Sequence, residues 1–321
     1  MEAGNGGTVP AVQSTDKVVA IYLSDIHLSL KPPAARRGED DWFNAMAYTL
    51  GQVTAAASRY DVPVLCTGDI FDHWRAEPAL VNFALGFLPD MYAIPGQHDM
   101  PLHSLELIKK SAFWTLVMAG KVTPVMPAPA QPVVIQKQGL VVYGFPWGSP
   151  ITPPLEYEKN WSPIALVHQY IWQQGACYPG APEENKVSKV RGLLSGYLSA
   201  AFGDNHQGFV FDLGEGRKGM NCGTLMRRKA DEAGYTPHIG LLCRSGNVLV
   251  HHLRTSTEVL DKTVKDVRSP EEVTDLRVFF DEIGNMQRNT IDFLEALKWA
   301  MESRNVEVDV RKEILKATGL G

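Results

Sequence analysis

The chain has 321 residues, of which 45% are hydrophobic and 21% are charged, as is ordinary for a globular protein with a large core. Its formal net charge of -5 means that any binding of nucleic acid must depend on a local basic surface. The four cysteines lack the C-x-x-C spacing of a zinc framework, and no apolar segment approaches the roughly 18 residues of a membrane span. We therefore expect a cytoplasmic protein with reduced thiols and no membrane contact.

The first part of the chain alternates strands with helices. Lys17 to Leu23 is an apolar run typical of a buried strand, and apolar side chains recur at intervals of three and four over Trp42–Arg59, which predicts a helix. The next predicted elements are a strand from Val64, a helix over Pro78–Phe87, a strand over Met91–Ile94 and a short helix over Ser104–Lys110. This alternation predicts a largely parallel or mixed sheet with crossover helices.

From Lys121 the sequence changes to short strands between polar and proline-rich loops. The predicted elements here are strands over Val133–Gln136, Leu140–Phe145, Ile164–His168, Gly196–Gly203 and Phe209–Leu213, a helix over Leu225–Ala233, and strands over His238–Cys243 and Val248–Leu253. The sequence thus predicts one large domain over residues 17–262. Residues 1–16 are rich in glycine and polar side chains, lack the features of a signal peptide, and are expected to form a disordered lead-in.

Residues 263–321 form a separate region that is predicted to be mainly helical. Ser269 to Glu272 is a capping box with proline at the first helical position, and a second helix is expected near Asn289. That second helix carries an apolar stripe, which usually packs on its own domain. The alternative is a docking surface for a partner or for a second copy of the chain, which would make a homodimer.

Side chains that bind metal ions follow several of the predicted strands. A buried strand can end in a carboxylate only if its charge is compensated, and a metal ion is the strongest compensation available. In chain order these segments are Asp25-x-His27, Gly68-Asp69-x-x-Asp72, Gly96-Gln97-His98-Asp99, His168 and Gly203-Asp204-x-His206. They predict one shared metal site with Asp69 at its centre.

This series resembles the calcineurin-like metallophosphoesterase superfamily, whose signature is D-x-H, G-D-x-x-D, G-N-H-D/E, a lone H and G-H-x-H. The resemblance covers about residues 17–255 and implies an α/β fold of two packed mixed sheets flanked by helices, in four layers. It also implies a hydrolase of phosphoester bonds. Two divalent ions, roughly 3.5–4 Å apart, would clamp the phosphate and activate a hydroxide for in-line attack.

The resemblance also implies a role for each residue of the series. The first ion would be held by Asp25, His27, Asp69 and His206, and the second by Asp69, Gln97, His168 and Asp204. His98 corresponds to the acid that protonates the leaving oxygen. Asp72 would hold the His98 imidazole in its cationic form and in a fixed orientation.

Two residues depart from the signature, and both fall on the second ion. Gln97 stands where Asn is usual, and Asp204 stands where the first His of G-H-x-H is usual. The second ion would then have one imidazole and three oxygen donors, a set that suits Mn²⁺ or Mg²⁺ better than Zn²⁺. We therefore expect a manganese-dependent enzyme.

Three features favour DNA as the substrate. Gly68–Asp72 followed by Glu77-Pro78, and the run Asn221–Arg228, are similar to segments of the SbcD-type DNA-repair exonuclease subunit. That family also ends in a small capping and partner-binding region. A surface that tracks DNA phosphates is expected from Arg227, Arg228 and Lys229 together with Lys186, Lys189, Arg191, Arg217 and Lys218.

Three functions remain open at this point. The first is a DNA exo- or endonuclease; since the sequence has no G-x-x-x-x-G-K-[ST] loop, any dependence on ATP would come from a separate SbcC-like ATPase. The second is a stand-alone phosphomonoesterase or small-molecule phosphodiesterase of the same fold. The third is a non-catalytic scaffold whose altered second site no longer binds metal, and the presence of His98 and Asp72 argues against it.

Overall fold

A computed structural model describes most of the chain. The described residues are 16–128, 130–155, 161–177, 181–255, 258–264, 301 and 310–312. The chain divides into two units, 1–264 and 265–321, and the described residues of the second unit, Met301 and 310–312, are helical. The lead-in expected before residue 16, the capping box and the helix start expected near Asn289 lie outside the described residues. No helix among the described residues combines the length and the apolar character needed to cross a membrane.

The strands and helices of the first unit are short and numerous. The strands are β1 (Val18–Leu23), β2 (Val64–Cys66), β3 (Met91–Ala93), β4 (Val122–Pro124), β5 (Val133–Ile135), β6 (Leu140–Phe145), β7 (Ser162–His168), β8 (Ser199–Gly203), β9 (Phe209–Gly214), β10 (Arg217–Asn221), β11 (His238–Cys243) and β12 (Val248–His252). The α-helices are α1 (Trp42–Tyr60), α2 (Pro78–Phe87), α3 (Ala112–Met118) and α4 (Val187–Val190). Short 3-10 helices span Ala34–Arg36, Gln97–Asp99, Pro101–His103, Leu105–Lys110, Gln136–Gln138, Glu183–Asn185, Arg191–Leu194 and Ala230–Gly234.

The strands form two mixed sheets of six strands each. The first has the order β12-β11-β1-β2-β3-β4, in which β1 to β4 are parallel and β11 is antiparallel to both of its neighbours. The second has the order β5-β6-β7-β8-β10-β9, in which β6, β7, β8 and β10 are parallel. The predicted fold of two packed mixed sheets is confirmed.

Strand β1 is buried on both faces, which explains its uninterrupted apolar sequence. Ile21 and Leu23 pack in the same cluster as Met46 of α1, on the helical side of the first sheet. Tyr22 belongs to a second cluster that also includes Leu166 of β7, and this cluster joins the two sheets. Part of the core of the first unit therefore lies between the two sheets.

The outer faces of both sheets carry helices. Helix α1 begins where the Asp41 side chain accepts a hydrogen bond from the Asn44 amide (3.0 Å), and its buried face packs on the first sheet. On the other side, Val190 and Leu194 pack with Phe202 of β8 against the second sheet. Helices thus cover the outer faces of both sheets. The loops at the carboxyl ends of the parallel strands are not part of these faces and can form a site.

The helix predicted over Leu225–Ala233 does not form, and only Ala230–Gly234 makes a 3-10 turn. Leu225 and Met226 are both buried, so this stretch lies along the core instead of presenting one helical face. The Glu232 carboxylate accepts hydrogen bonds from the backbone amides of residues 228 and 229. These local bonds take the place of helical ones, as side chain–backbone bonds often do.

Candidate metal centre

The predicted ligands lie where strands of both sheets end. Asp25 and His27 follow β1, Asp69 follows β2, Gln97 follows β3, His168 is the last residue of β7, and Asp204 and His206 follow β8. Because the carboxyl ends of parallel strands share one edge of a sheet, these side chains are brought together from positions up to 181 residues apart, between Asp25 and His206. The site is built from two sheets.

The donor atoms of the first predicted set face each other. The Nε2 atom of His27 lies 3.2 Å from Nε2 of His206, 3.7 Å from Oδ1 of Asp25 and 3.7 Å from Oδ2 of Asp69. His206 Nε2 is 3.8 Å from Asp25 Oδ1. Ligands that each lie about 2.1 Å from one ion are about 3–4 Å from one another. The spacing therefore fits a common cation.

The second predicted set is less compact but has unsatisfied atoms. His168 Nε2 lies 3.5 Å from Asp69 Oδ2, and the Gln97 amide nitrogen donates to Asp204 Oδ1 (2.9 Å). Among the described residues, Asp69 Oδ2, His168 Nε2 and Gln97 Oε1 are buried and have no hydrogen-bond partner. Such atoms are costly unless a ligand satisfies them, so this donor set also fits a metal ion. Asp25 comes within reach of Asp69 and His168 as well, so it borders both sets.

The histidines are oriented by oxygen atoms on their outer side. The Nδ1 atom of His168 donates to the Thr67 carbonyl (2.5 Å), and Nδ1 of His206 bonds to Oε1 of Glu232 (3.0 Å). In the neutral form of each ring, this bond makes Nε2 the lone-pair nitrogen that faces the centre, as in many metal sites. Glu232 was not predicted from the sequence, since it lies 26 residues beyond His206 and outside every motif.

The backbone around the centre is held in an unusual conformation. Eight non-glycine residues in the described part of the chain have positive φ, and four of them are predicted ligands: Asp25 (49°), His27 (48°), Asp69 (52°) and Asp204 (85°). Left-handed backbone is unfavourable for residues with a side chain and persists where the surrounding structure enforces it. Its concentration here marks a functional site.

Asp99 fastens two of the ligand loops together. Its buried carboxylate accepts hydrogen bonds from the amides of Ile70 (3.2 Å), Phe71 (3.1 Å) and Gly96 (3.1 Å). A Cβ atom at Gly96 would collide with the Asp69 carboxylate, so only glycine allows this approach. Asp99 is the last residue of the Gly-Gln-His-Asp motif. The sequence therefore pointed to this position, but no role was predicted for it.

The charges of the centre depend on one another. Burial opposes ionisation of Asp69, but the imidazoles around it hold the pKa of its carboxyl well below the usual range. Burial likewise opposes protonation of His168, but Asp69 and two further carboxylates raise its pKa to about 10. Burial and a nearby guanidinium oppose protonation of His27, whereas Asp25 and its acidic neighbours raise its pKa to about 9. Without a metal ion, the protonated imidazoles of His27 and His168 therefore balance the negative charge of the carboxylates.

His98 lies in the centre, but its contact with Asp72 differs from the prediction. Its amide donates to Asp69 Oδ1 (3.0 Å), and its Nδ1 donates to the Asp72 main-chain carbonyl (2.8 Å). The Asp72 carboxylate instead accepts from Arg228 (2.6 Å) and lies 3.4 Å from Nδ1 of His27. The Asp72 carboxylate is thus paired with the Arg228 guanidinium, and only the Asp72 main chain bonds to the His98 ring. The predicted cationic His98 is not what this environment favours, since burial lowers its pKa.

The residues predicted to contact DNA do not form one free basic surface. Arg227 binds Glu258 (2.7 Å) and the carbonyl of residue 233, and Arg228 binds Asp72. Lys229 contributes its amide to the turn around Glu232. Other members of the predicted surface pair with acids as well: Lys186 with Glu183, Arg217 with Glu215, and Lys218 with Asp212. Arg217 and Lys218 are the first residues of β10, which is parallel to β8. They therefore lie at the end of the strand away from the metal centre.

Several solved structures are distantly similar to this chain. Solved structures similar to this chain include the calcineurin-like phosphoesterase YfkN from Bacillus subtilis (11% identity, 74% of this chain and 89% of that chain, TM-score 0.39). They also include the NAD nucleotidase of Haemophilus influenzae (13%, 90% and 60%, 0.40) and the 5'-nucleotidase precursor of Thermus thermophilus (13%, 84% and 60%, 0.43). The chain spans only 60% of the last two, and at such low identity their substrates do not transfer to it.

No curated protein matches the chain by sequence. Residues 20–199, more than half of the chain, match the sequence family described as calcineurin-like phosphoesterase. The matched segment begins within β1, includes β2 to β7 and ends at the first residue of β8. The chain therefore belongs to the calcineurin-like phosphoesterase family.

Proposed function

We propose that this protein hydrolyses a phosphoester bond of a small molecule at a two-metal centre, with His98 as the acid. The observation that carries this proposal is the convergence of unsatisfied donor atoms from Asp69, Gln97 and His168 beside the group formed by Asp25, His27 and His206. Divalent ions held there would stabilise the charge of the phosphate and lower the pKa of water.

The contacts of His98 suit a proton donor. Because Nδ1 is bound to the Asp72 carbonyl, Nε2 is the nitrogen that can pass a proton to a leaving oxygen. The ring of His27 packs edge-on against it at 4.9 Å, which fixes its plane. An anionic phosphate beside the ring would favour its protonated form. Asp72 acts in this scheme as a positioning residue, through its main chain.

A small substrate fits the charges around the centre better than DNA does. A nuclease needs cations that are free to follow successive phosphates, whereas Arg227 and Arg228 are bound to acids. The nuclease is kept as a second candidate because Arg228 lies directly beside the centre on the same loop as Lys229. If Arg228 exchanged its Asp72 partner for a DNA phosphate, it would supply one cationic contact to the DNA backbone.

Hydrolysis assays with purified protein and Mn²⁺ would test this proposal. The substrates are an aryl phosphomonoester, an aryl phosphodiester, an alkyl phosphomonoester, and linear single- and double-stranded DNA. Faster turnover of a small ester than of DNA supports the first candidate, and the reverse order supports the nuclease. Inactivity on all five with Mn²⁺, Mg²⁺ or Zn²⁺ would overturn both. From the oxygen-rich second set we expect Mn²⁺ to give the highest rate.

The role of His98 can be tested by the choice of leaving group. We expect His98→Ala to lower kcat by about 10²–10⁴-fold for an alkyl ester, because alkoxide leaves poorly without a proton. The loss should be much smaller for a nitrophenyl ester, whose oxygen leaves unprotonated. His251→Ala, which changes a half-buried histidine on β12, is the control and should leave both rates unchanged. Equal losses for both leaving groups would show that His98 is not the acid.

A further inference from the structure

A cavity of about 390 Å³ opens directly beside the metal centre. Its lining includes His168 and Asp204, two of the predicted ligands of the second ion. Its volume lies within the range of about 300–1,000 Å³ that small-molecule sites occupy. A group attached to a phosphate at the metal centre could therefore extend into this cavity. This inference rests on the proposed function, because it concerns the rest of the same substrate.

One wall of the cavity is an exposed aromatic side chain. Trp147, in the loop after β6, is 40% exposed, although tryptophan is highly buried on average. It contacts the ring of His103 at 5.6 Å, so its orientation is supported on one side. Apart from its chain neighbours, the adjacent Gly148 has no atom within 4 Å of the position that a Cβ would take, so no other segment packs against the backbone there. An accessible, supported ring is a stacking platform.

The rest of the lining includes Ser149, Pro150, Gln169, Tyr170 and Asn185, and none of these side chains carries a positive charge. The side-chain amide of Gln169 donates to Oδ1 of Asn185 (3.2 Å), and both residues line the cavity. None of the described lining residues is lysine or arginine, so the cavity has no counter-charge for a second phosphate. Amide groups can instead donate to and accept from the edge of a polar ring. The expected occupant is thus planar, uncharged and edged with hydrogen-bonding atoms.

We propose that this cavity binds the nucleobase of a nucleotide substrate, with the base stacked on Trp147 and its edge towards Gln169 and Asn185. The phosphate of the same molecule lies at the metal centre beside His168. A sugar ring could also lie on an indole, but it is not planar and offers no π-face to it. The base could belong to a free nucleotide or to the end of a nucleic acid strand, and the test distinguishes these sources.

The test compares substrates with and without a base. We expect Trp147→Ala to raise KM for adenosine 5'-monophosphate by about 5- to 150-fold, the usual range for loss of a base–aromatic stack. KM for ribose 5-phosphate should stay unchanged, because that molecule has no base. Trp147→Phe keeps an aromatic face and should preserve most of the preference. Phe87→Ala removes another exposed aromatic ring, on α2 and 51% exposed, and should change neither KM.

Direct binding separates this inference from the proposed function. Adenosine, which has no phosphate, should bind the wild-type protein in calorimetry and bind Trp147→Ala at least about fivefold more weakly. If all esters are inert but adenosine binds in this way, the hydrolytic proposal fails and the subsite stands. If Trp147→Ala raises KM equally for both substrates, or leaves adenosine binding unchanged, the subsite is overturned. A parallel effect on an oligodeoxynucleotide would identify a strand end as the source of the base, and an effect on the free nucleotide alone would identify the mononucleotide.

Discussion

Metal binding to this centre should release about two protons near neutral pH. His27 and His168 have pKa values of about 9 and about 10 in the metal-free protein, so both rings are protonated at neutral pH. A metal ligand must be a neutral imidazole, and each ion must therefore displace a proton. Between pH 7 and pH 8, each displaced proton changes the apparent binding free energy by about 1.4 kcal/mol, so two change it by about 2.7 kcal/mol. Affinity should rise about tenfold per pH unit for each proton.

Calorimetric titration with Mn²⁺ in two buffers of different ionisation enthalpy gives the number of released protons directly. His168→Gln should lower that number by about one, because the ring with the higher pKa is gone. The matched control is His251→Gln on β12, whose pKa is lowered by burial and which should release the same number as the wild type. Binding that releases no protons, or an affinity that does not change between pH 6 and pH 8, would refute the assignment of His27 and His168 as ligands.

The same centre supports four further predictions. Glu232→Gln removes the charge behind His206 and should weaken metal binding by about 10–100-fold, measured as Kd for Mn²⁺; an unchanged Kd would remove Glu232 from the site. Asp99→Asn leaves a buried amide unsatisfied and should lower the free energy of unfolding by about 1–3 kcal/mol, measured in urea; a neutral effect would contradict its role in joining the loops. Gly96→Ala should abolish metal binding because its Cβ would displace the Asp69 carboxylate, whereas Gly86→Ala, with open space on α2, should stabilise the fold by about 0.5–1 kcal/mol. In the metal-free protein, the raised pKa values of the ligand histidines stabilise the fold below their unfolded value of about 6.5. This stability should be lost as the pH rises through about 9 and 10, and a chelated sample whose melting temperature is flat over that range would contradict it.

The sequence could predict which acids and histidines meet at the candidate centre, for a simple physical reason. A buried strand followed by Asp or His is recognisable in the sequence, because a polar residue follows directly on an apolar run. Examples are β2 before Asp69 and β7, which ends in His168. The parallel order of neighbouring strands then brings these ends together. Both sheets and the convergence of Asp25, His27 and His206 follow from such local signals.

Other features depend on contacts that no local pattern records. Glu232 supports His206 because the segment after Leu225 follows the core instead of forming the predicted helix. The Asp72 carboxylate accepts a hydrogen bond from Arg228, a residue 156 positions away. His98 is therefore bound by the main-chain carbonyl of Asp72 and not by its side chain. The stacking wall of Trp147 likewise becomes visible only once the loops after β6 and β7 lie side by side. Long-range partners decide which way a polar side chain points, and the sequence alone does not specify them.

The left-handed backbone at Asp25, His27, Asp69 and Asp204 affects how mutagenesis of this enzyme should be designed. Alanine, the customary choice for deleting a side chain, would at these positions retain a Cβ in a conformation that disfavours it by about 1–2 kcal/mol. Glycine deletes the same ligand and accepts the conformation freely. Paired alanine and glycine variants lose the same donor atoms. The difference between their melting temperatures therefore reports the cost of the left-handed backbone at the substituted position.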